Sequence, residues 1–347
     1  MHPSQRTFFS DMVDYAGLFP PARLSLNESV RNYARYRREP EGWMLARFVC
    51  PVDLLGELGP YIDELFSEGP PLRLAVVDRG GETDTVFLEN LRRDLETVHR
   101  LQETHHSGVR VESFEMRFPS EPVDSDWRDY AESLLPDATA VFEAAGLSSV
   151  RRFYEPPLTG DYRLATQLMA HTLAVLNGAA VPAAQPGTEP DNYDERQEEA
   201  ALLSGRGVGG IKLRCGGVGA GAIPSVEKVA AVIEESIRGH VPLKFTAGLH
   251  HPTRRIDPAL GVYVHGFMNV LAAGILVDAL ELEYNDLAAI VEEEDFREFH
   301  FSEDFFGWND AEATINEIEY ARRRRVISFG SCSFEEPRDE LRELGLI

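Results

Sequence analysis

The chain has 347 residues, of which 43% are hydrophobic and 10% aromatic, and this fits a folded soluble protein with a proper core. Its formal net charge of −24 argues against nucleic acid as a partner, because binding to phosphates needs a basic surface. No apolar run approaches the roughly 20 residues of a membrane span, and the N-terminus lacks the pattern of a signal peptide. With three widely spaced cysteines, which make no disulfide framework, we expect a cytoplasmic protein that binds neither nucleic acid nor membrane.

The first half of the chain alternates between strand-like and helix-like segments. Short apolar runs predict strands at Met12–Pro21, Leu45–Cys50, Leu72–Asp78, Arg110–Phe118 and Val150–Glu155. Helical periodicity predicts helices at Leu24–Arg37, Val52–Phe66, Phe87–Gln102, Trp127–Ala145 and Asp161–Leu176.

The second half is less regular. The segment Pro182–Tyr193 is the most loop-like of the chain, and short apolar strands are predicted near residues 211 and 243. The last strand and turn are predicted at Val326–Phe334, and the charged run Arg322–Arg325 before them is expected to be solvated. The other predicted elements are helices at Glu195–Ser204, Val262–Ala279, Ala311–Arg323 and Asp339–Leu346, and an extra strand at Phe296–Phe301.

Eight strands alternating with helices predict an α/β fold, a (β/α)8 TIM barrel. It would form a single domain over residues 1–347, with a loop at about 180–195 and an insertion at about 253–310 before the last strand. A doubly wound open sheet is the alternative. The barrel is favoured because polar residues collect near the carboxyl ends of several strands, where barrel active sites lie.

Lysine usage singles out two positions. The chain has three lysines against 31 arginines, and Lys212 and Lys244 interrupt buried-looking strands, whereas Lys228 looks like a surface residue. Arginine keeps its proton in proteins, but a desolvated lysine can become a neutral nucleophile. Two adjacent ammonium groups would disfavour each other's charge, so one lysine is expected to have a lowered pKa. The alternative is that both fill the interior in salt bridges with carboxylates such as Glu115 or Glu155.

Six segments resemble, in order, strands of the deoxyribose-phosphate aldolases, a family of class I aldolases with a (β/α)8 fold. They are MVDYAGLFPPARLSLNESV, FVCPVDL, FYEPPLTGDYRLATQ, GGIKLRCGG, PLKFTAGLHHP and ISFGSCSF. The resemblance places Lys212 at that family's Schiff-base lysine and Lys244 at its second lysine. The pieces DYAGLFPP, AGLHHP and FGSCSF also resemble a group of bacterial and plant proteins with no assigned activity.

The chain also departs from the aldolase pattern. Leu213–Cys215 replaces small polar residues after the first lysine, and Gly248–His251 replaces a Gly-rich turn after the second. Glu115, with Arg117 beside it, stands where the family has an aspartate. The resemblance implies a lyase that acts on a small carbonyl compound through an imine on Lys212, without a cofactor; a homo-oligomer is compatible with it.

The candidate site follows from strand alternation and from this resemblance. Lys212 would form the Schiff base and Lys244 would lower its pKa, while Glu115, Asp14 and His250 would move protons. Substrate contacts are expected from Arg214, Arg117, Glu155, Thr246, His251, Gly330, Ser331 and Ser333. Of these, Arg214 and the turn from 330 to 333 would hold an anionic group.

Two other classes of function remain open. Cys50, Cys215, Cys332 and His250 fall on the same predicted rim, which would suit a four-ligand zinc site in a metal-dependent lyase or hydrolase. No CxxC or HExxH spacing supports it, and we expect these four side chains not to converge, so no metal ligands are assigned. The other class is a barrel without catalysis that serves in binding.

Overall fold

Parallel strands close into a barrel in the computed structural model, which describes residues 1–119, 127–156, 158, 160–178, 208–217 and 219–347. Numbered in chain order, the barrel strands are β1 Val13–Tyr15, β2 Leu45–Pro51, β3 Leu72–Val77, β4 Val109–Arg117, β5 Arg151–Glu155, β6 Gly209–Arg214, β7 Leu243–Thr246 and β13 Val326–Ser331. Each strand from β1 to β7 lies beside the next, and β13 closes the ring between β7 and β1. The predicted (β/α)8 barrel is confirmed, and the open sheet is wrong.

Helices connect these strands. Those before β7 are α1 Pro3–Phe9, α2 Leu26–Tyr36, α3 Gly59–Leu65, α4 Asp84–Thr104, α5 Trp127–Ala144, α6 Tyr162–Leu176 and α7 Val226–Arg238. The hydroxyls of Ser25, Thr83 and Ser225 cap α2, α4 and α7 by accepting a backbone amide of the first turn. The predicted helix at 52–66 is divided instead, because Pro60 starts α3 anew after a 3-10 segment.

Alternation along the strands separates an apolar face from a polar one. On β6 and β7, Ile211, Leu213, Leu243 and Phe245 are fully buried in the hydrophobic core. Because side chains alternate along a strand, the residues between them point to the barrel interior. The barrel therefore brings polar side chains from distant parts of the chain to one central place.

Between β7 and β13 the chain forms two small antiparallel sheets and further helices. In order these elements are β8 Arg255–Asp257, β9 Val262–Val264, α8 Phe267–Leu280, α9 Tyr284–Glu292, β10 Phe299–Phe301, β11 Phe305–Trp308, β12 Ala311–Thr314 and α10 Ile315–Arg324. Helix α8 is buried along most of its length and packs against α7, α10 and β13. A last helix, α11 Glu335–Glu343, follows β13.

Two helices predicted in this part begin later than expected. The segment Val262–Ala279 starts as strand β9, because β-branched and aromatic residues favour a strand, and the helix begins only after Gly266. The segment Ala311–Arg323 starts as strand β12, because Thr314 forms a capping box that fixes the start of α10. The predicted C-terminal helix, in contrast, begins earlier, at Glu335.

The arginine run before β13 is solvated only in part: Arg323 is exposed, but both ends of the run are buried. Arg322 and Arg325 are 8% and 1% exposed. Arg322 can be buried because its donors meet backbone oxygens, at 3.0 Å each for Phe8, Ser10 and Ile327. It thereby fastens α1 to the start of β13.

Of the helices that the structure describes, none is both long and apolar enough to cross a membrane. Even the buried α8 has 14 residues, against the roughly 20 that a span needs. The loop predicted at about 180–195 and the helix predicted at Glu195–Ser204 lie outside the described residues.

Candidate active site

The two buried lysines lie side by side at the centre of the barrel. Lys212 on β6 is paired in register with Lys244 on β7, so both side chains leave adjacent parallel strands on the same face. Lys212 is 6% exposed and Lys244 is 1% exposed. Lys228 lies apart on α7, where its Nζ donates to the carbonyl oxygen of Leu158 at 2.8 Å.

Carboxylates from three other strands meet the two ammonium groups. Lys244 Nζ lies 2.7 Å from Oδ2 of Asp14, on β1, and also contacts Oε1 of Glu115, on β4. The other oxygen of Glu115 is 3.2 Å from Lys212 Nζ. Glu155, on β5, contacts Lys212 Nζ at 3.1 Å. The result is a row of alternating charges with Glu115 between the lysines, as in the salt-bridged alternative from the sequence.

The carboxylates control ionisation in this row. Burial disfavours the charge of Lys212, but the attraction of Glu115 and Glu155 outweighs burial, and the pKa of Lys212 is raised. The expectation that Lys244 lowers this pKa is therefore wrong, because Glu115 binds both ammonium groups. Burial also raises the pKa of Asp14, yet its cationic neighbours, Lys244 first, outweigh that effect and lower the pKa to about 2.

Asp14 is enclosed behind Lys244. It is fully buried, and its carboxylate accepts the backbone amide of Arg47 at 3.0 Å and the hydroxyl of Ser328. Asp14 borders neither of the two cavities described next. It can therefore orient Lys244 from outside the walls of both cavities.

Two cavities at the carboxyl ends of the strands share Lys212 and Arg214 in their walls. The first, of about 680 Å³, we name the histidine cavity; its polar wall includes Lys212, Lys244, Glu115, Arg214, Thr246, His250, His251, Asp257 and Glu336. The second, of about 980 Å³, we name the arginine cavity; its polar wall includes Lys212, Arg214, Asp78, Arg79, Glu82, Asn90, Arg117 and Glu155. Substrate-sized spaces thus border Lys212 in both directions.

Both adjacent histidines face the first cavity, although neighbours on a strand would point apart. The chain leaves β7 in a turn in which Gly248 has a φ of 73°, and this reorients the residues that follow. His250 Nδ1 lies 2.8 Å from Glu336, and His251 Nδ1 lies 2.6 Å from Glu340. Both imidazoles are therefore paired with carboxylates of α11.

The turn after β13 differs from the expected anion site. Gly330 borders the histidine cavity, but Ser331 and Ser333 border neither cavity in the described part of the chain. Their hydroxyls accept amides of the turn itself, from Ser333 at 3.3 Å and from Glu336 at 3.1 Å. With the carboxylate of Glu336 in the cavity wall, this end is acidic.

The cysteines do not form a centre with the histidines. Cys50 and Cys215 are buried, and burial raises the pKa of each thiol. Cys332 is partly exposed in the wall of the histidine cavity. Among the described residues, no group of three or more His, Cys, Asp or Glu side chains is arranged to hold a metal ion.

Asp78 is a site residue that the sequence analysis did not single out. It follows β3, borders the arginine cavity, and accepts the backbone amide of Arg117 at 3.4 Å. Burial raises its pKa to about 7, although Lys212 attracts the charged form. The available signal was its place at the carboxyl end of the predicted strand Leu72–Asp78, where barrel sites collect.

Replacing Asp78 with asparagine should make stability less dependent on pH. The folded pKa of about 7 lies above the ordinary aspartate value of 3.8, so the native state binds an extra proton between these pH values. Because of Asp78, the free energy of unfolding should fall by on the order of 2–4 kcal/mol as pH rises from 4 to 8. Asp78→Asn should remove this decrease. Urea unfolding at both ends of the range measures the difference. Asp137→Asn, at an exposed position on α5, is the control. If the free energy of unfolding changes equally with pH in wild type and in Asp78→Asn, the prediction is contradicted.

The fold defines the class of protein as a (β/α)8 barrel with a buried lysine and carboxylate network at its centre. No family model matches the chain, and no curated protein matches it in sequence. Among solved structures, the chain is similar to the deoxyribose phosphate aldolase from Aeropyrum pernix, described as a unique tetrameric structure. The identity is 12%, the match covers 71% of this chain and 80% of that chain, and the TM-score is 0.40. The resemblance to this aldolase family is distant and concerns the fold.

Proposed function

We propose that the protein is a class I aldolase-like lyase that acts on a small carbonyl compound through a Schiff base on Lys212. One observation carries the proposal: Lys212 borders both cavities while Glu115 and Glu155 hold its ammonium group. A primary amine beside an accessible cavity, with carboxylates in contact, has the groups that imine formation requires.

Imine formation conserves the charge at this position. Lys212 gives a proton to a neighbouring carboxylate, the free amine attacks the carbonyl carbon, and the carbonyl oxygen leaves as water after protonation. The iminium ion again carries one positive charge, so Glu115 and Glu155 stabilise it as they stabilise the ammonium group. The raised pKa of Lys212 reduces the free amine at neutral pH but does not oppose the charged imine.

Cleavage follows from the electron demand of the iminium ion. A base removes the proton of a hydroxyl group on the carbon beyond the bond to be broken, an aldehyde leaves, and the electron pair of the broken bond forms an enamine. Protonation at carbon and addition of water then restore Lys212. Glu115 suits these proton transfers because it borders the histidine cavity and contacts Lys212, and His250 stands at the rim for the hydroxyl group.

Lys244 and Asp14 support the reacting groups. Lys244 holds one oxygen of Glu115, and Asp14 holds Lys244. Glu115 is thereby kept ionised, because the two lysines lower its pKa against the effect of burial. We assign these two residues to positioning, since Lys244 is 1% exposed and Asp14 is fully buried.

Trapping with borohydride tests the proposal. The protein is incubated with a panel of small aldehydes and 2-oxo acids, reduced, digested and mapped by mass spectrometry. We expect one adduct, on Lys212, whereas Lys228 on the surface of α7 serves as the internal reference for non-specific labelling. Absence of any specific adduct across the panel would contradict the proposal, and the metal-dependent and non-catalytic alternatives would then be favoured.

A further inference from the structure

The two cavities at Lys212 differ in the charge of their outer walls. The histidine cavity carries the carboxyl groups of Asp257 and Glu336 there. The arginine cavity carries the guanidinium groups of Arg79 and Arg117, and that of Arg214, which it shares with the histidine cavity, as a third. In a chain with a net charge of −24, a cluster of guanidinium groups in a cavity wall is the feature expected of a local site for an anion.

One of the three guanidinium groups is already committed. Arg79 is held by two carboxylates, those of Asp53 and Asp94. Asp94 is itself fully buried, so this contact fixes the start of the loop after β3 to helix α4. Arg79 therefore has a structural role, and the anion site must be built from the other two arginines.

Arg214 and Arg117 share a single carboxylate with Lys212. Glu155 lies 3.1 Å from Arg214 Nε, 3.1 Å from Lys212 Nζ and 4.0 Å from Arg117 Nε. Of the guanidinium nitrogens of Arg214, only Nε donates a hydrogen bond to the described part of the chain. The guanidinium group of Arg117 donates none to it. Each guanidinium group has five N–H donors, so most of the donors of both groups are available to a ligand.

Two other carboxyl groups in this wall weaken the attraction without cancelling it. Glu82 is exposed, so water screens its charge. Asp78 is partly neutral near pH 7, because burial raises its pKa. The arginine cavity therefore favours an anion over the histidine cavity, where Asp257 and Glu336 repel it.

The positions of Lys212 and Arg214 limit the distance between the anionic group of the ligand and its carbonyl carbon. Each side-chain nitrogen lies 3.1 Å from a different oxygen of one carboxylate, that of Glu155, so both nitrogens border the same small group. In a 2-oxo acid the carboxylate is bonded directly to the carbonyl carbon. When that carbon approaches Lys212, the acid oxygens fall beside Arg214, whereas an anion several carbons away would pass beyond it.

We infer that the arginine cavity binds the carboxylate of a 2-oxo acid, with Arg214 and Arg117 as its ligands and the carbonyl carbon at Lys212. This inference rests on the proposed function, since it names the substrate class of the same lysine. The rest of the substrate enters the histidine cavity, where His250 and Glu336 contact hydroxyl groups. A 4-hydroxy-2-oxo acid meets both conditions, and its cleavage gives pyruvate and an aldehyde with no other reactant.

The test compares pyruvate with hydroxyacetone, which has the same number of carbons but a neutral hydroxymethyl group for the carboxylate. Borohydride trapping at Lys212 is measured over a range of concentrations for wild type, Arg117→Gln, Arg214→Gln and Arg110→Gln. Arg110 is the matched control, because it lies on the same strand as Arg117 and both side chains are 72% exposed, but it is at the opposite end of the barrel.

We expect Arg117→Gln and Arg214→Gln to raise the half-saturating pyruvate concentration about tenfold and to leave that of hydroxyacetone within about twofold. Arg110→Gln should change neither. Equal loss for both compounds in Arg117→Gln, or no change for pyruvate in either variant, would overturn the inference while leaving the Schiff base intact. Absence of an adduct with both compounds and with the aldehyde panel would instead overturn the proposed function.

Discussion

Lys212→Arg is expected to fold and to lose adduct formation with carbonyl compounds by at least about a thousandfold. Arginine keeps a positive charge between Glu115 and Glu155, so the two ion pairs can persist. Its guanidinium group, however, does not lose a proton in a protein and cannot form a Schiff base. Circular dichroism checks the fold, and borohydride trapping with peptide mapping checks the chemistry.

A lysine outside the site, Lys228, provides the control for this result. Lys228→Arg makes the same chemical change on α7, away from both cavities, and should retain full adduct formation. If the Lys212→Arg protein is folded and trapping continues unchanged, a Schiff base on Lys212 is ruled out. An adduct that moves to Lys244 would show that the second lysine is reactive and would reverse the two roles.

The architecture could be predicted because it depends on short-range patterns. Apolar runs followed by helical periodicity mark each strand of a barrel, and the two-residue period of a strand predicts that Lys212 and Lys244 point away from the core face. The pattern predicts the face of each strand but not its register, and the register of β6 and β7 pairs the two lysines directly. The misplaced helix start near residue 262 arose where strand-forming residues directly precede a helix. The one near residue 311 arose because the capping box at Thr314 fixes the start of α10.

The ionisation of the site could not be predicted in the same way. Asp14, Glu115 and Glu155 come from strands far apart in sequence, and the pKa of Lys212 depends on distances of about 3 Å to two of them. The sequence indicated two adjacent cations but not that Glu115 would bind both. The burial of Arg322 could not be predicted either, since its partners are backbone oxygens of residues distant in sequence, and no side-chain pattern indicates them.

The orientation of the two adjacent histidines is another feature that the sequence pattern could not predict. Alternation along a strand would point His250 and His251 apart, but the turn after β7, in which Ala247 and Gly248 both have positive φ, brings both to one cavity. Glycine permits this backbone conformation but does not by itself predict it. The acidic character of that cavity then comes from Glu336 on α11, which is close in space because β13 lies beside β7.

Lys244→Met is expected to destabilise the protein by about 3–5 kcal/mol, because it leaves buried carboxylates without their central counter-charge. Lys244 is 1% exposed and contacts Asp14 and Glu115. Urea unfolding measures the loss, and Lys228→Met is the control, with an expected change below about 1 kcal/mol because its ammonium group is only partly buried. Adding Glu115→Gln to Lys244→Met should recover part of the stability, since one of the two buried carboxylates that lose Lys244 is then neutral.

The same variant should also shift the pH dependence of trapping upwards. Without Lys244, Glu115 attracts only Lys212, so the pKa of Lys212, which is already raised, should rise further. Less free amine is then present at neutral pH, and adduct formation should be slower there and recover at higher pH. The rate of trapping is measured from pH 6 to 11 in wild type and in Lys244→Met, at a temperature where both are folded. A rate of trapping at neutral pH that is the same or higher in Lys244→Met than in wild type would contradict the role of Glu115 as the shared partner of the two lysines.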